Sequence, residues 1–228
     1  MQQIIDEHFT FLQNVRQNQR MMKTLEERNI TILTDCEEYK ELAKRFYAKY
    51  YNPQVGKRIA LVGMDPNKRG SGKTGVPFLD FKSLSVFLDK VPRETSDASS
   101  QFIYGIIQHF GPTAFFQHVY MTNVSWFGFQ RHRKAFHYYD LAGWIARLFT
   151  KGFIKEMTML NPSCIVPLGE RVEETLLEMK QDGRLPQDIT ITERLPHPYW
   201  CSKPQNLERG RQKYIDVIEQ FIEEGVVK

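Results

Sequence analysis

Three groups able to do chemistry stand at the ends of short apolar runs: the carboxyl of Asp65 in Gly63-Met64-Asp65-Pro66, the carboxamide of Asn123 in Thr122-Asn123-Val124, and the imidazole of His197 between Pro196 and Pro198. A carboxylate that is ionised and close to a water can position that water and stabilise a developing cation. A planar amide offers a donor and an acceptor side by side, which matches the edge of a pyrimidine base. The imidazole is aimed by stiff backbone, because proline fixes its own φ and restricts the residue before it. Phe78, after Gly75-Val76-Pro77, offers a flat face on which a base can stack. Each has a structural alternative: Asp65 as a turn residue, Asn123 as a strand-end cap, His197 as an ordinary structural histidine, Phe78 as core.

The loop that carries Asp65 also contains Gly72-Lys73-Thr74, the ending of a phosphate-binding P-loop. Such a loop needs a glycine five residues earlier, where Asn67 stands, and a helix beginning at the lysine, whereas Gly75-Val76-Pro77-Phe78 favours extended or turning chain. Nucleotide-triphosphate binding is therefore the weakest alternative. Two clusters of cations, Lys68, Arg69 and Lys73, then Arg131, His132, Arg133 and Lys134, are either solvated faces or contacts for a polyanion.

The elements that must position these groups follow from periodicity. Apolar runs at 58 to 62, 117 to 122, 163 to 168 and 189 to 192 read as strands. They alternate with helical stretches at about 98 to 110, 138 to 158, 169 to 181 and 205 to 224. Two earlier amphipathic segments, 3 to 26 and 37 to 50, form a helical lead-in, the second ending before Asn52-Pro53. This order predicts an α/β fold, a three-layer α/β/α sandwich around a central, mainly parallel four-stranded sheet. In open parallel sheets ligands bind beyond the carboxyl ends of the strands, which is where Asp65, Asn123 and His197 fall.

At 228 residues the chain suffices for one core, and its 41% hydrophobic and 25% charged residues are ordinary for a globular protein. No apolar run approaches the roughly twenty residues of a membrane span, and the N-terminus lacks the pattern of a secretory signal, so a cytoplasmic protein is expected. Cys36, Cys164 and Cys201 are scattered, with no Cys-x-x-Cys pair, so neither a metal nor an iron–sulfur cluster is expected. The net charge of +4 is compatible with a polyanionic partner without requiring one.

Gly63-Met64-Asp65-Pro66, followed by Thr74-Gly75-Val76-Pro77-Phe78 and later by His197-Pro198, resembles the uracil-DNA glycosylase superfamily, most closely its single-strand-selective monofunctional branch. The resemblance covers residues 37 to 224 loosely and is most specific over 63 to 78. It implies a cofactor-free, monomeric DNA-repair hydrolase that flips uracil or a related damaged base from single- or double-stranded DNA and cuts its N-glycosidic bond, nucleoid-associated in a bacterium. Residues 37–228 would form the glycosylase-like domain and residues 1–36 a helical extension packed on it. By the same resemblance Asp65 orients the hydrolytic water, His197 stabilises the departing base, Met64 and Phe78 hold and stack it, and Asn123 reads its edge. Lys68, Arg69, Lys73, Arg131 and Arg133 would hold phosphates, and Tyr199, Trp200 and Lys203 lie where such enzymes wedge into the duplex. Departures from the family pattern are Asn67, Tyr199 and the residues after Asn123. They motivate the alternative of a catalytically divergent module that binds nucleic acid or nucleobase on the same fold.

Overall fold

Ile59-Ala60-Leu61-Val62 has no polar residue to turn toward water, so a strand made of it must be covered on both faces. In the computed structural model, which describes residues 2–51, 56–92 and 96–226, it is the heart of the molecule. Helices α1 (Gln2–Gln17) and α2 (Gln19–Glu27), strand β1 (Ile30–Ile32) and helix α3 (Lys40–Tyr50) precede β2 (Ile59–Gly63). Helices α4 (Ser71–Thr74), α5 (Phe81–Phe87), α6 (Ala98–Phe110) and α7 (Pro112–His118) then lead to β3 (Val119–Asn123). A hairpin of β4 (Phe129–Arg131) and β5 (Lys134–Phe136) precedes α8 (Gly143–Leu160), and β6 (Cys164–Pro167), α9 (Glu170–Gln181), β7 (Thr190–Ile191), α10 (Pro198–Cys201) and α11 (Leu207–Val226) follow.

The main sheet has four parallel strands in the order β3-β2-β6-β7, as expected for the three-layer α/β fold. Every residue of β2 and β3 is buried, and the two run in register so that Gly63 lies beside Asn123. From β2 the chain crosses to β3 on one side, and from β6 to β7 on the other. That reversal of direction opens a crevice at the carboxyl ends of the strands. Helix α1 packs against α3 and α8, and its Ile5, Phe9 and Leu12 are buried in the same core as the sheet.

The elements differ from the sequence expectation in several places. Segment 3 to 26 is two helices, because Asn18 leaves helical geometry and its side chain caps α2 by accepting the Met21 N–H at 3.1 Å. Helix α3 begins at Lys40 after a single 3₁₀ turn at Asp35–Glu37, while Asn52 and Pro53 lie outside the described residues. Helix α8 begins at Gly143, since Tyr138–Asp140 is a separate 3₁₀ turn. The run Gly75-Val76-Pro77-Phe78 is turning chain, as expected, but Lys73 lies inside the one-turn helix α4, closed by Gly75 in left-handed backbone at φ +70°. The Thr74 hydroxyl there donates to Leu79 O at 2.7 Å, so the last residue of the P-loop-like triplet serves the fold. The short strands β1, β4 and β5 form a second, antiparallel sheet that three-residue runs do not announce. The hairpin turns through His132 and Arg133 at φ 51° and 64°, the left-handed pair that a two-residue type I′ turn requires.

Candidate active site

Where β2 ends, its parallel pairing with β3 continues into the loops: Val124 N–H donates to Gly63 O at 2.9 Å and Ser125 N–H to Met64 O at 3.0 Å. The first loop is therefore tied to the segment that bears Asn123. Within the loop, Asn67 takes the turn role: its Oδ1 accepts Arg69 N–H at 2.9 Å and Gly70 N–H at 2.6 Å, and its carbonyl accepts Gly72 N–H at 3.0 Å. Asp65 is left free of the loop's own hydrogen bonding.

Its carboxyl reaches across to the turn after β5. His137 Nδ1 lies 3.1 Å from Asp65 Oδ1 and 3.3 Å from Oδ2, and Tyr138 N–H donates to Oδ2 at 3.1 Å. A carboxylate only accepts, so Nδ1 of His137 is the donor. The Asp65 side chain is 6% exposed, and this burial pushes its carboxyl above the ordinary range against the opposing pull of His137 and the Tyr138 amide. The hydrogen bond to Asp65 raises His137 above its ordinary 6.5, with burial acting the other way. An ionised carboxylate has about four lone-pair positions. The two neighbouring N–H groups leave room on it for a water.

His197 caps α10, and Tyr199 N–H donates to its Nδ1 at 3.1 Å. A neutral ring held this way carries its proton on Nε2. Burial lowers the His197 pKa, Asp97 opposes that shift and His137 adds to it. The ring is thereby kept neutral, with an N–H to offer. Phe78 is buried in left-handed backbone at φ 59°. Gly63 admits it: a Cβ there would come within 2.4 Å of the Phe78 ring and 2.5 Å of Asn123 Oδ1.

Met64, Asp65, Phe78, Asn123 and His197 all line one cavity of about 130 Å³. Its other walls include Asn67, in the loop the sequence placed at the site, and Asp97, Ser100 and His137, which the sequence did not suggest in this role. Asp97 caps α6 by accepting Ser100 N–H at 3.1 Å, and its own N–H is held by the buried Asp80 at 2.6 Å. His137 has no sequence signal, since the strands before it, Phe129–Arg131 and Lys134–Phe136, are too short to display a period. Outside the cavity, Lys68, Arg69, Arg131, Arg133 and Lys134 are exposed and Lys73 half-buried, none in an ion pair among the described residues. Tyr199 and Trp200 are 52% and 43% exposed beside His197, and Lys203 donates to the Tyr199 hydroxyl at 2.8 Å and lies 4.0 Å over its ring.

The Asp65–His137 pair has a pH signature. The raised His137 pKa contributes stability that is present below 6.5 and lost as pH rises through the folded value. Its partner must be ionised, so the acid edge of the window lies at the Asp65 pKa, which burial has moved above 3.8. We expect the melting-temperature difference between wild type and His137→Gln to be largest inside this window and to shrink on the alkaline side. A difference independent of pH would show that the contact carries no charge.

A family model described as the uracil DNA glycosylase superfamily matches residues 48–221. No curated protein matches the chain. Among solved structures, the crystal structure of wild-type SMUG2 from Pedobacter heparinus is similar, with a TM-score of 0.72 and 24% sequence identity, covering 86% of this chain and 89% of that one. At that identity the likeness is one of fold.

Proposed function

This chain belongs to the uracil DNA glycosylase superfamily, and on that premise we propose that it takes uracil or a related damaged base out of the DNA stack and hydrolyses its bond to the sugar. One observation carries the reading: Asp65, Phe78, Asn123 and His197 stand on the wall of a single cavity. A base inside a duplex cannot be reached, so such an enzyme must flip it, stack it and read its edge. Phe78 supplies the stacking face and Asn123 the donor and acceptor. As the C1′–N bond breaks, its electron pair leaves with the base and positive charge grows on the sugar. Asp65 stabilises that charge, orients the water whose oxygen bonds to C1′, and receives its proton; the Nε2–H of His197 stabilises the base anion. The unpaired cations of the two basic segments hold flanking phosphates, so affinity falls as salt rises. Tyr199 and Trp200, exposed next to His197, fill the gap left in the stack.

The test is incubation with oligonucleotides bearing one uracil, hydroxymethyluracil, xanthine or hypoxanthine, then alkaline cleavage of abasic sites. Scission at one of these is the expected result, and its absence at all four refutes hydrolysis. A bidentate contact to a base edge discriminates by about 1–3 kcal/mol. Asn123→Ala should therefore reduce the preference for uracil over cytosine by that amount, and Phe78→Ala should weaken retention of every flipped base. A preference for uracil that survives Asn123→Ala contradicts the edge-reading role.

A further inference from the structure

Behind Asn123, on the side away from Asp65 and His197, lies a carboxylate that the reaction does not use. Glu156, toward the C-terminal end of α8, is 1% exposed, yet it is surrounded by donors from the strand and loop that carry Asn123. Tyr120 O–H donates to its Oε1 at 2.7 Å, Thr122 Oγ1 lies 2.9 Å from Oε2 and 3.1 Å from Oε1, and Trp126 Nε1–H donates to Oε2 at 2.7 Å. The residues three before, one before and three after Asn123 thus converge on one carboxylate. A carboxylate satisfied in this way is rigid, and its removal would leave buried donors unpaired. The Asn123 side chain shows no such anchoring of its own among the described residues. Its backbone is paired to β2 at Gly63, and the side chains on either side of it are the ones that Glu156 holds.

Helix α1 closes the remaining side. His8 is buried, its Nε2 lies 3.5 Å from Glu156 Oε1 with no hydrogen-bond partner, and its ring centroid is 3.8 Å from that of Trp126. This helix precedes the matched residues 48–221.

We propose that Glu156 is a positioning residue for base selection: by clamping Thr122 and Trp126 it holds the Asn123 carboxamide at one angle to the flipped base. The inference rests on the edge-reading role of Asn123 given above. Misplacement of a recognising group by about 1 Å can cost on the order of a hundredfold. Glu156→Gln, which keeps the volume but removes the charge and exchanges one of the two acceptor oxygens for a donor, should lose at least about tenfold of the discrimination.

The experiment measures affinity for oligonucleotides containing 2′-fluoro-2′-deoxyuridine or 2′-fluoro-2′-deoxycytidine, which resist cleavage. It compares wild type with Glu156→Gln, Trp126→Phe, Asn123→Ala and the two double variants with Asn123→Ala. Trp126→Phe keeps an aromatic ring while removing the N–H and part of the ring that packs on His8 and Phe11, so it is the second variant if Glu156→Gln does not fold. The expected result is a lower uridine-to-cytidine ratio in both single variants, unchanged affinity for the cytidine oligonucleotide, and no further loss on the Asn123→Ala background. Retained discrimination, an equal loss for both oligonucleotides, or effects that add to Asn123→Ala would overturn the proposal. If wild type discriminates but cleaves nothing, hydrolysis is refuted while the same ratios still decide the role of Glu156. If wild type does not discriminate, this inference fails, and the cleavage assay judges hydrolysis separately.

Discussion

Asp65→Asn is expected to lower the single-turnover rate of uracil release by about 10²–10⁴-fold, the usual contribution of a positioned acid or base, while affinity for uncleaved DNA changes little. The asymmetry follows from when the charge is needed. Before the bond breaks, Asp65 faces two N–H groups. In the proposed mechanism it also faces a positive sugar at the transition state and takes up the water's proton. An asparagine keeps one acceptor oxygen for the Tyr138 N–H, and its own N–H can donate to Nδ1 of a neutral His137 in the other tautomer. The variant loses the negative charge and the water's proton acceptor together, and neither contributes to holding an intact nucleotide. Single-turnover cleavage and equilibrium binding to a 2′-fluoro oligonucleotide, measured on the same preparation, separate the two effects. A variant that cleaves at the wild-type rate but binds weakly would show that Asp65 grips the nucleotide and does not assist the water.

His197→Ala should cost about 10²–10³-fold in rate, the range for removing one preorganised donor from a developing anion. The donor is preorganised by three features: the prolines on either side of His197, the Tyr199 N–H that occupies Nδ1, and the burial that lowers the ring's pKa. Because the proton stays on Nε2, no reorganisation is needed as charge arrives on the base. The role predicts a dependence on the leaving group. A 5-fluorouracil substrate, whose anion is intrinsically more stable, should suffer less from His197→Ala than uracil does. Equal losses on the two substrates would mean that His197 orients the nucleotide and bears no charge. Acid should also impair wild type, since protonating Nδ1 breaks the Tyr199 hydrogen bond and turns the ring.

Much of the scaffold was legible because its signals are local. Three of the four parallel strands are apolar runs that end at Gly63, Asn123 and Pro167, the fourth is a β-branched run, and each was located to within about two residues, as such patterns allow. Asp65, Phe78, Asn123 and His197 share a pocket because they follow strands that end on the same edge. His137 was not legible. It is 72 positions from Asp65, and the strands that carry it there span three residues each, too short to display a period. Glu156 misleads in a different way: a glutamate in an amphipathic helix ordinarily faces water, and only the donors arriving from β3 and Trp126 make its burial tolerable. Asn67 looked like a defect in a family motif, whereas its side chain organises the loop.

Phe78 adopts a left-handed backbone at φ 59°, a conformation that costs an L-residue with a side chain about 1–2 kcal/mol and glycine almost nothing. The position therefore bears opposing selective pressures, with an aromatic favoured for stacking and a glycine favoured for stability. A lineage released from acting on bases would gain stability as glycine or asparagine drifted into this site. On the proposed stacking role, the aromatic at this twisted position gives up stability to present a flat face to the pocket.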